Sequence, residues 1–75
     1  MAKLPILSAL DVVKVLRKNG FYISRQRGSH VILIKFIENR KQIVVVPNHK
    51  QIDLGTLLSI IAQSGMSKEE FLRFL

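Results

Sequence analysis

Apolar residues recur at helical spacing at the start of the chain, at every second position in the middle, and at helical spacing again toward the end. Leu10, Val13 and Leu16 form the first helical series, with Lys14, Arg17 and Lys18 on the opposite side. Ser8 supplies an N-cap, Asp11 completes a carboxylate version of the capping box, and Gly20 ends the helix. From Phe21 to Pro47 the period becomes two and β-branched residues dominate. Gly28-Ser29 fits the centre of a type II′ hairpin turn, which takes glycine first. That loop pairs Arg27 with His30, Arg25 with Ile32, Ile23 with Ile34 and Phe21 with Phe36 on one face, apolar at its far end. The other face receives Gln26 with Val31, Ser24 with Leu33 and Tyr22 with Lys35, a mixed set.

A second turn at Glu38-Asn39-Arg40-Lys41 returns the chain as a third strand, Gln42 to Pro47. With Ile37 opposite Gln42, Ile43 meets Phe36 and Val45 meets Ile34, extending the apolar face. The loop Asn48-His49-Lys50-Gln51 then leaves the sheet at the Gly28-Ser29 end. Asp53 caps a second helix carrying Leu54, Leu57, Leu58 and Ile61, stopped by Gly65. Ser67 and Glu70 form a capping box for a short last helix, whose apolar side is Phe71, Leu72, Phe74 and Leu75. The expected fold is α+β: a helix, a three-stranded antiparallel meander, a helix and a short C-terminal helix, with the helices in one layer on one face of the sheet.

Length holds this to a single domain over residues 1–75. The chain has no cysteine and two histidines, His30 and His49, which removes thiol chemistry, disulfides and histidine-only or cysteine-based metal cages. Neither a metal nor a cofactor is expected. Twelve Lys+Arg against five Asp+Glu give a net charge of +7, so the partner is expected to be a polyanion, nucleic acid first among them. The opening from Met1 to Leu7 is too short and interrupted for a signal peptide. The longest apolar runs, Val31 to Ile34 and Ile43 to Pro47, fall far short of the ~20 residues that span a bilayer. A soluble cytoplasmic protein without a membrane partner is therefore expected.

At the end of the hairpin the expected register gathers Arg25, Arg27 and His30, with His49 and Lys50 emerging nearby. An imidazole exchanges protons near neutral pH, and cations beside it hold phosphates. Metal-independent RNA cleavage needs such a set: a base for the 2′-hydroxyl, an acid for the leaving 5′-oxygen, and cations for the charge at phosphorus. From the residues alone the plainer reading comes first: His30 as the residue that closes a hairpin, His49 as a polar loop residue, and Lys14, Arg17 and Lys18 as a solvated helix face. No phosphate-binding glycine loop, carboxylate dyad or nucleophile elbow is present. The apolar run Ile43 to Val46 also offers a strand edge to a partner strand.

The segments Gly20-Phe21, Arg25-Gln26-Arg27-Gly28-Ser29-His30, Val46-Pro47-Asn48-His49-Lys50, Gly55-Thr56-Leu57-Leu58-Ser59-Ile60 and Ser64-Gly65-Met66-Ser67-Lys68-Glu69-Glu70-Phe71, taken in order and with Leu4 to Ser8 ahead of them, closely resemble the HicA toxin family. The resemblance runs over essentially the whole chain. It implies a fold like that of double-stranded-RNA-binding domains, and a ribosome-independent mRNA interferase acting within a HicAB toxin–antitoxin module. The histidine of Gly-Ser-His, here His30, is implied as the catalytic residue. Arg25, Arg27, Gly28, Ser29, His49, Lys50, Lys14 and Lys18 are the expected RNA contacts around it. A HicB-like antitoxin is implied as the partner that covers the histidine and its basic surroundings. Two departures stand out: Val31 to Ile37 is more apolar than is usual in the family, and Ala9 stands where a glycine is common. The second proton-transfer group is open among His49, Lys50, Ser29 and water. A non-catalytic RNA-binding module, or an interaction domain for an acidic protein, are the alternative functions.

Overall fold

A computed structural model describes residues 4–75; Met1-Ala2-Lys3, at the head of the segment weighed above as a signal peptide, lies outside them. The order is α1 (Ala9–Lys18), β1 (Tyr22–Arg27), β2 (His30–Ile37), β3 (Arg40–Pro47), α2 (Leu54–Ser64) and α3 (Lys68–Arg73). The strands form one antiparallel sheet in the order β1-β2-β3. The expected α+β architecture is the one observed.

Every expected helix cap forms. Ser8 Oγ accepts from the Asp11 N–H at 3.1 Å while Asp11 Oδ2 accepts from the Ser8 N–H at 3.1 Å. Ser67 and Glu70 repeat the exchange at α3. Asp53 takes both the N–H and the hydroxyl of Thr56, at 3.0 and 2.7 Å. Gly65 ends α2 in the left-handed region, and a Cβ there would also stand 2.8 Å from Gln42 Nε2. These local bonds satisfy backbone donors that a helix start leaves without partners.

The buried stripes are displaced from the expected ones. Along α1 the inward series is Ala9, Val12, Val13 and Leu16, joined by Val15, while Leu10 is 64% exposed. Along α2 it is Leu57, Ile60, Ile61 and Ser64, with Leu54 and Leu58 exposed. Both are i, i+3, i+4, i+7 series. Val13, Leu16, Leu57 and Ile61 of the expected series are buried, whereas Leu10, Leu54 and Leu58 lie at the margin that each helix turns away from the sheet.

The hairpins show how side chains are assigned to faces. Gly28 has φ +57 and is followed by Ser29 with negative φ, as a type II′ loop requires. Arg27↔His30, Gln26↔Val31 and Arg25↔Ile32 pair as expected, but a bulge at Ser24 then shifts the register to Ile23↔Leu33 and Tyr22↔Ile34. The extra residue exchanges the faces of Tyr22 and Ile23 relative to β2. The second turn is a two-residue loop, Glu38-Asn39, with both residues at positive φ (47 and 67), so Ile37 pairs with Arg40 instead of Gln42. A slip of two leaves every β3 side chain on its expected face, whereas a slip of one would not.

The helices pack on the face carrying Val31, Leu33, Val44 and Val46, which join Val12, Leu16, Leu57, Ile60, Phe21 and Phe71 in one core. This is the face that alternation made mixed. The face turned away from the helices carries four cross-strand rows: Arg27–His30–Pro47, Arg25–Ile32–Val45, Tyr22–Ile34–Ile43 and Phe36–Lys41. The edge expected to be free at β3 is closed at its middle. Gln63 Oε1 of α2 accepts from the Val45 N–H at 3.3 Å, Gln42 Nε2 donates to the Gln63 carbonyl at 2.9 Å, and Pro47 has no N–H to offer.

Two outcomes follow. A left-handed glutamate costs about 1–2 kcal/mol, and type I′ loops favour Asn-Gly. The double change Glu38→Asn with Asn39→Gly should therefore raise stability by about 1 kcal/mol, read as a rise of several degrees in melting temperature. The capping bonds hold the Asp11, Asp53 and Glu70 carboxyls below their ordinary values, the first two chiefly through Ser8 and Thr56 and the third through Ser67. Depressed carboxyls contribute stability that is complete above their unfolded values, about 4, and lost as pH falls through the folded ones. The urea midpoint should drop steeply below about pH 4, and less steeply in Asp53→Asn, which keeps an acceptor but does not titrate; a midpoint flat down to pH 3 would contradict this.

Candidate nucleic-acid interface

The β1–β2 tip, the loop after β3 and the start of α1 meet at one end of the molecule. The His30↔Pro47 pair ends the β2–β3 ladder, so the chain leaves β3 directly beside the tip. The Asn48 N–H donates to the Ser29 carbonyl at 2.6 Å, joining loop to tip. The Ala9 N–H donates to the His49 carbonyl at 2.9 Å, and the Ile52 N–H to the Leu7 carbonyl at 2.7 Å, joining the same loop to the head of α1. Three segments far apart in sequence are thus fixed by backbone hydrogen bonds, which hold position without demanding particular side chains.

His30 stands between Arg27 and Pro47 in the first row of the open face, and Arg25 lies in the next row on the same face. All three of these polar side chains are exposed. Gly28 has no heavy atom within 4 Å of where a Cβ would stand, so the tip projects freely and its glycine answers to backbone conformation alone. Ser29 is exposed, with its carbonyl engaged by Asn48.

Behind the tip, Ser8, Ala9, Leu10, Asn48, His49 and Lys50 line an open depression of about 500 Å³. His49 belongs to this depression, and its charge is among the lesser influences lowering the Asp53 carboxyl. The depression and the His30 row lie at the same end of the molecule, with Arg25, Arg27 and His30 on the open face of the sheet and His49 and Lys50 on the side of α1.

Lys14 and Lys18 are apart from it. Both flank a shallow hollow with Asp11, Val15, Phe74 and Leu75, and Lys18 Nζ donates to the Phe74 carbonyl at 3.1 Å near the end of α1 distant from the tip. Lys18 serves there as a tether for the C-terminal residues. Asn48 was not singled out as a site residue, and neither was Ser8 or Leu10. Their place depends on long-range backbone contacts for which periodicity carries no signal.

The acidic groups nearest this end, Asp11 beside Ser8 and Asp53 within the influence of His49, are held in helix caps. Glu70 is likewise occupied in a cap, Glu38 lies in the opposite turn, and Glu69 is in α3. Among the described residues no helix is long and apolar enough to cross a membrane.

In a sequence comparison no curated protein matches the chain. A family model described as HicA toxin of bacterial toxin-antitoxin matches residues 10–66 of the 75, from the first turn of α1 through β1, β2, β3 and α2, with the tip and the Asn48–Lys50 loop inside the matched span. By that match the chain belongs to the HicA toxin family of bacterial toxin–antitoxin systems.

Proposed function

We propose that this toxin is a metal-independent endoribonuclease acting on mRNA, with His30 as its catalytic residue. The observation that carries this reading is the row Arg27–His30–Pro47: an exposed imidazole directly across the ladder from a guanidinium, at the end of the sheet where the Asn48–Lys50 loop converges. His30 exchanges a proton with the ribose 2′-hydroxyl or the leaving 5′-oxygen. The 2′-oxygen forms a bond to phosphorus as the bond to the 5′-oxygen breaks, leaving a 2′,3′-cyclic phosphate. Arg27 and Arg25 offset the charge that builds on the phosphoryl oxygens. The donors at this end are imidazoles, guanidiniums and an ammonium, which suits proton transfer and phosphate binding better than metal ligation.

Gly28 and Ser29 let the strand approach the tip backbone closely, and His49 and Lys50 meet phosphates on the far side of the cleavage point. Lys14 and Lys18, apart from the tip on α1, add only long-range positive charge that attracts the RNA. His49, whose loop is tied to the tip through Asn48, is proposed as the second proton-transfer group. A HicB-like antitoxin is the partner that restrains this activity, and the site of action is the cytoplasm.

A purified-protein assay tests the reading. His30→Ala should lower the rate of RNA cleavage by at least about 100-fold, in line with loss of a general acid or base. RNA affinity should stay within a few-fold of wild type and remain salt-sensitive. Cleavage by the wild type should persist in excess EDTA. Cleavage undiminished in His30→Ala would remove the histidine from its role; RNA binding with no cleavage by either protein would favour a non-catalytic RNA-binding module.

A further inference from the structure

The face of the sheet turned away from the helices exposes two aromatic rings. Phe21 and Phe71 are used in the core, whereas Tyr22 is 48% and Phe36 59% exposed. Tyr22 pairs with Ile34, and Phe36 follows Ile34 by two residues on β2, so the two rings are diagonal neighbours within reach of each other. The same face carries the exposed cations Arg25, Arg27 and Lys41, and none of its four rows holds an acidic residue. His30 lies on this face as well, and at the rise of a strand its row stands about 13 Å from the Tyr22 row.

We infer that this face carries an unpaired stretch of the RNA, with Tyr22 and Phe36 as the platforms on which its bases stack, a few nucleotides from the bond held at His30. The inference rests on the nuclease reading for its position along the strand, and not for the contact itself. Rings and cations interleaved on an exposed sheet match the chemistry of a single strand, giving its bases a π-face and its phosphates positive charge. Charge selects against a second copy of the chain, which would bring +7 against +7. A duplex does not fit the rings, since its bases are paired and stacked on one another and present no free face. Between His30 and the rings, Ile32, Val45, Ile34 and Ile43 give the bases an apolar floor without side-chain donors or acceptors. The face therefore selects unpaired RNA over paired, and discriminates among bases by stacking strength and not by their hydrogen-bonding edges.

The test is affinity, measured on the full chain carrying His30→Ala so that the RNA stays intact. The probes are an unpaired oligoribonucleotide and a duplex of the same length. Tyr22→Ala should weaken binding of the unpaired RNA by about tenfold, the loss of one stacked base, and Phe36→Ala should do the same. Tyr22→Phe, which keeps the ring, should stay within about twofold of its parent. The slope of affinity against salt should hold in all three, because no phosphate contact is removed, and duplex affinity should not move. Tyr22 is the only tyrosine in a chain without tryptophan, so tyrosine emission reports this position alone and should be quenched by the unpaired RNA but not by the duplex. Circular dichroism and thermal melting establish that each variant is folded. Unchanged RNA affinity in folded Tyr22→Ala overturns the inference. So does equal affinity for the two RNAs, or an affinity loss confined to a complex with the antitoxin, which would give the face to a protein. A wild type that never cleaves RNA would end the nuclease reading, while these affinities, taken without cleavage, would still uphold or overturn the stacking site.

Discussion

A single layer of helices against one face of a three-stranded sheet is the constraint on which everything else depends. Val31, Leu33, Val44 and Val46 point toward α1 and α2 and complete a core with Val12, Leu16, Leu57, Ile60 and Phe71. A chain of 75 residues buries its apolar surface in one place only. The alternate residues of the same strands are then committed to the opposite face. Since the strands are apolar on both sides, the price of this economy is an exposed surface built from Ile34, Ile43, Val45 and Phe36.

The same alternation determines where the basic end lies. His30 opens β2 on the open face, Arg27 faces it across the tightest part of the hairpin, and Pro47 closes the row from β3. The Asn48 bond to Ser29 and the Ala9 bond to His49 then fix the tip, the loop and the head of α1 relative to one another. Catalytic and binding groups gain rigidity when their backbone is held by such bonds while their side chains stay free. The carboxylates of Asp11, Asp53 and Glu70 are used in helix caps.

Element order, all three caps, the Gly28-Ser29 turn and the pairing from Arg25 to Ile32 were legible in the sequence because each depends on neighbours within a few residues. The bulge at Ser24 was not: nothing in Tyr22-Ile23-Ser24-Arg25 distinguishes a strand that gains a residue from one that continues in register. The choice of buried face was also hidden, because Ile43-Val44-Val45-Val46 is apolar on both sides and only the helices decide between them. The gathering of Arg25, Arg27 and His30 followed from the hairpin register alone, which survives the bulge because all three lie on its tip side. The roles of Leu10 and Asn48 depend on contacts that cross the whole chain. The distance of Lys18 from the tip follows from the length of α1, and its bond to Phe74 from the docking of α3, a tertiary event.

The most direct test of catalysis by His30 is growth of bacteria after induced expression of the wild type and of His30→Ala, with total mRNA integrity followed in the same cultures. Arrest accompanied by fragmented mRNA for the wild type, with normal growth and intact mRNA for His30→Ala, is the expected result. Arrest by both proteins with mRNA intact would mean that the basic surface acts by binding alone and would contradict a catalytic His30.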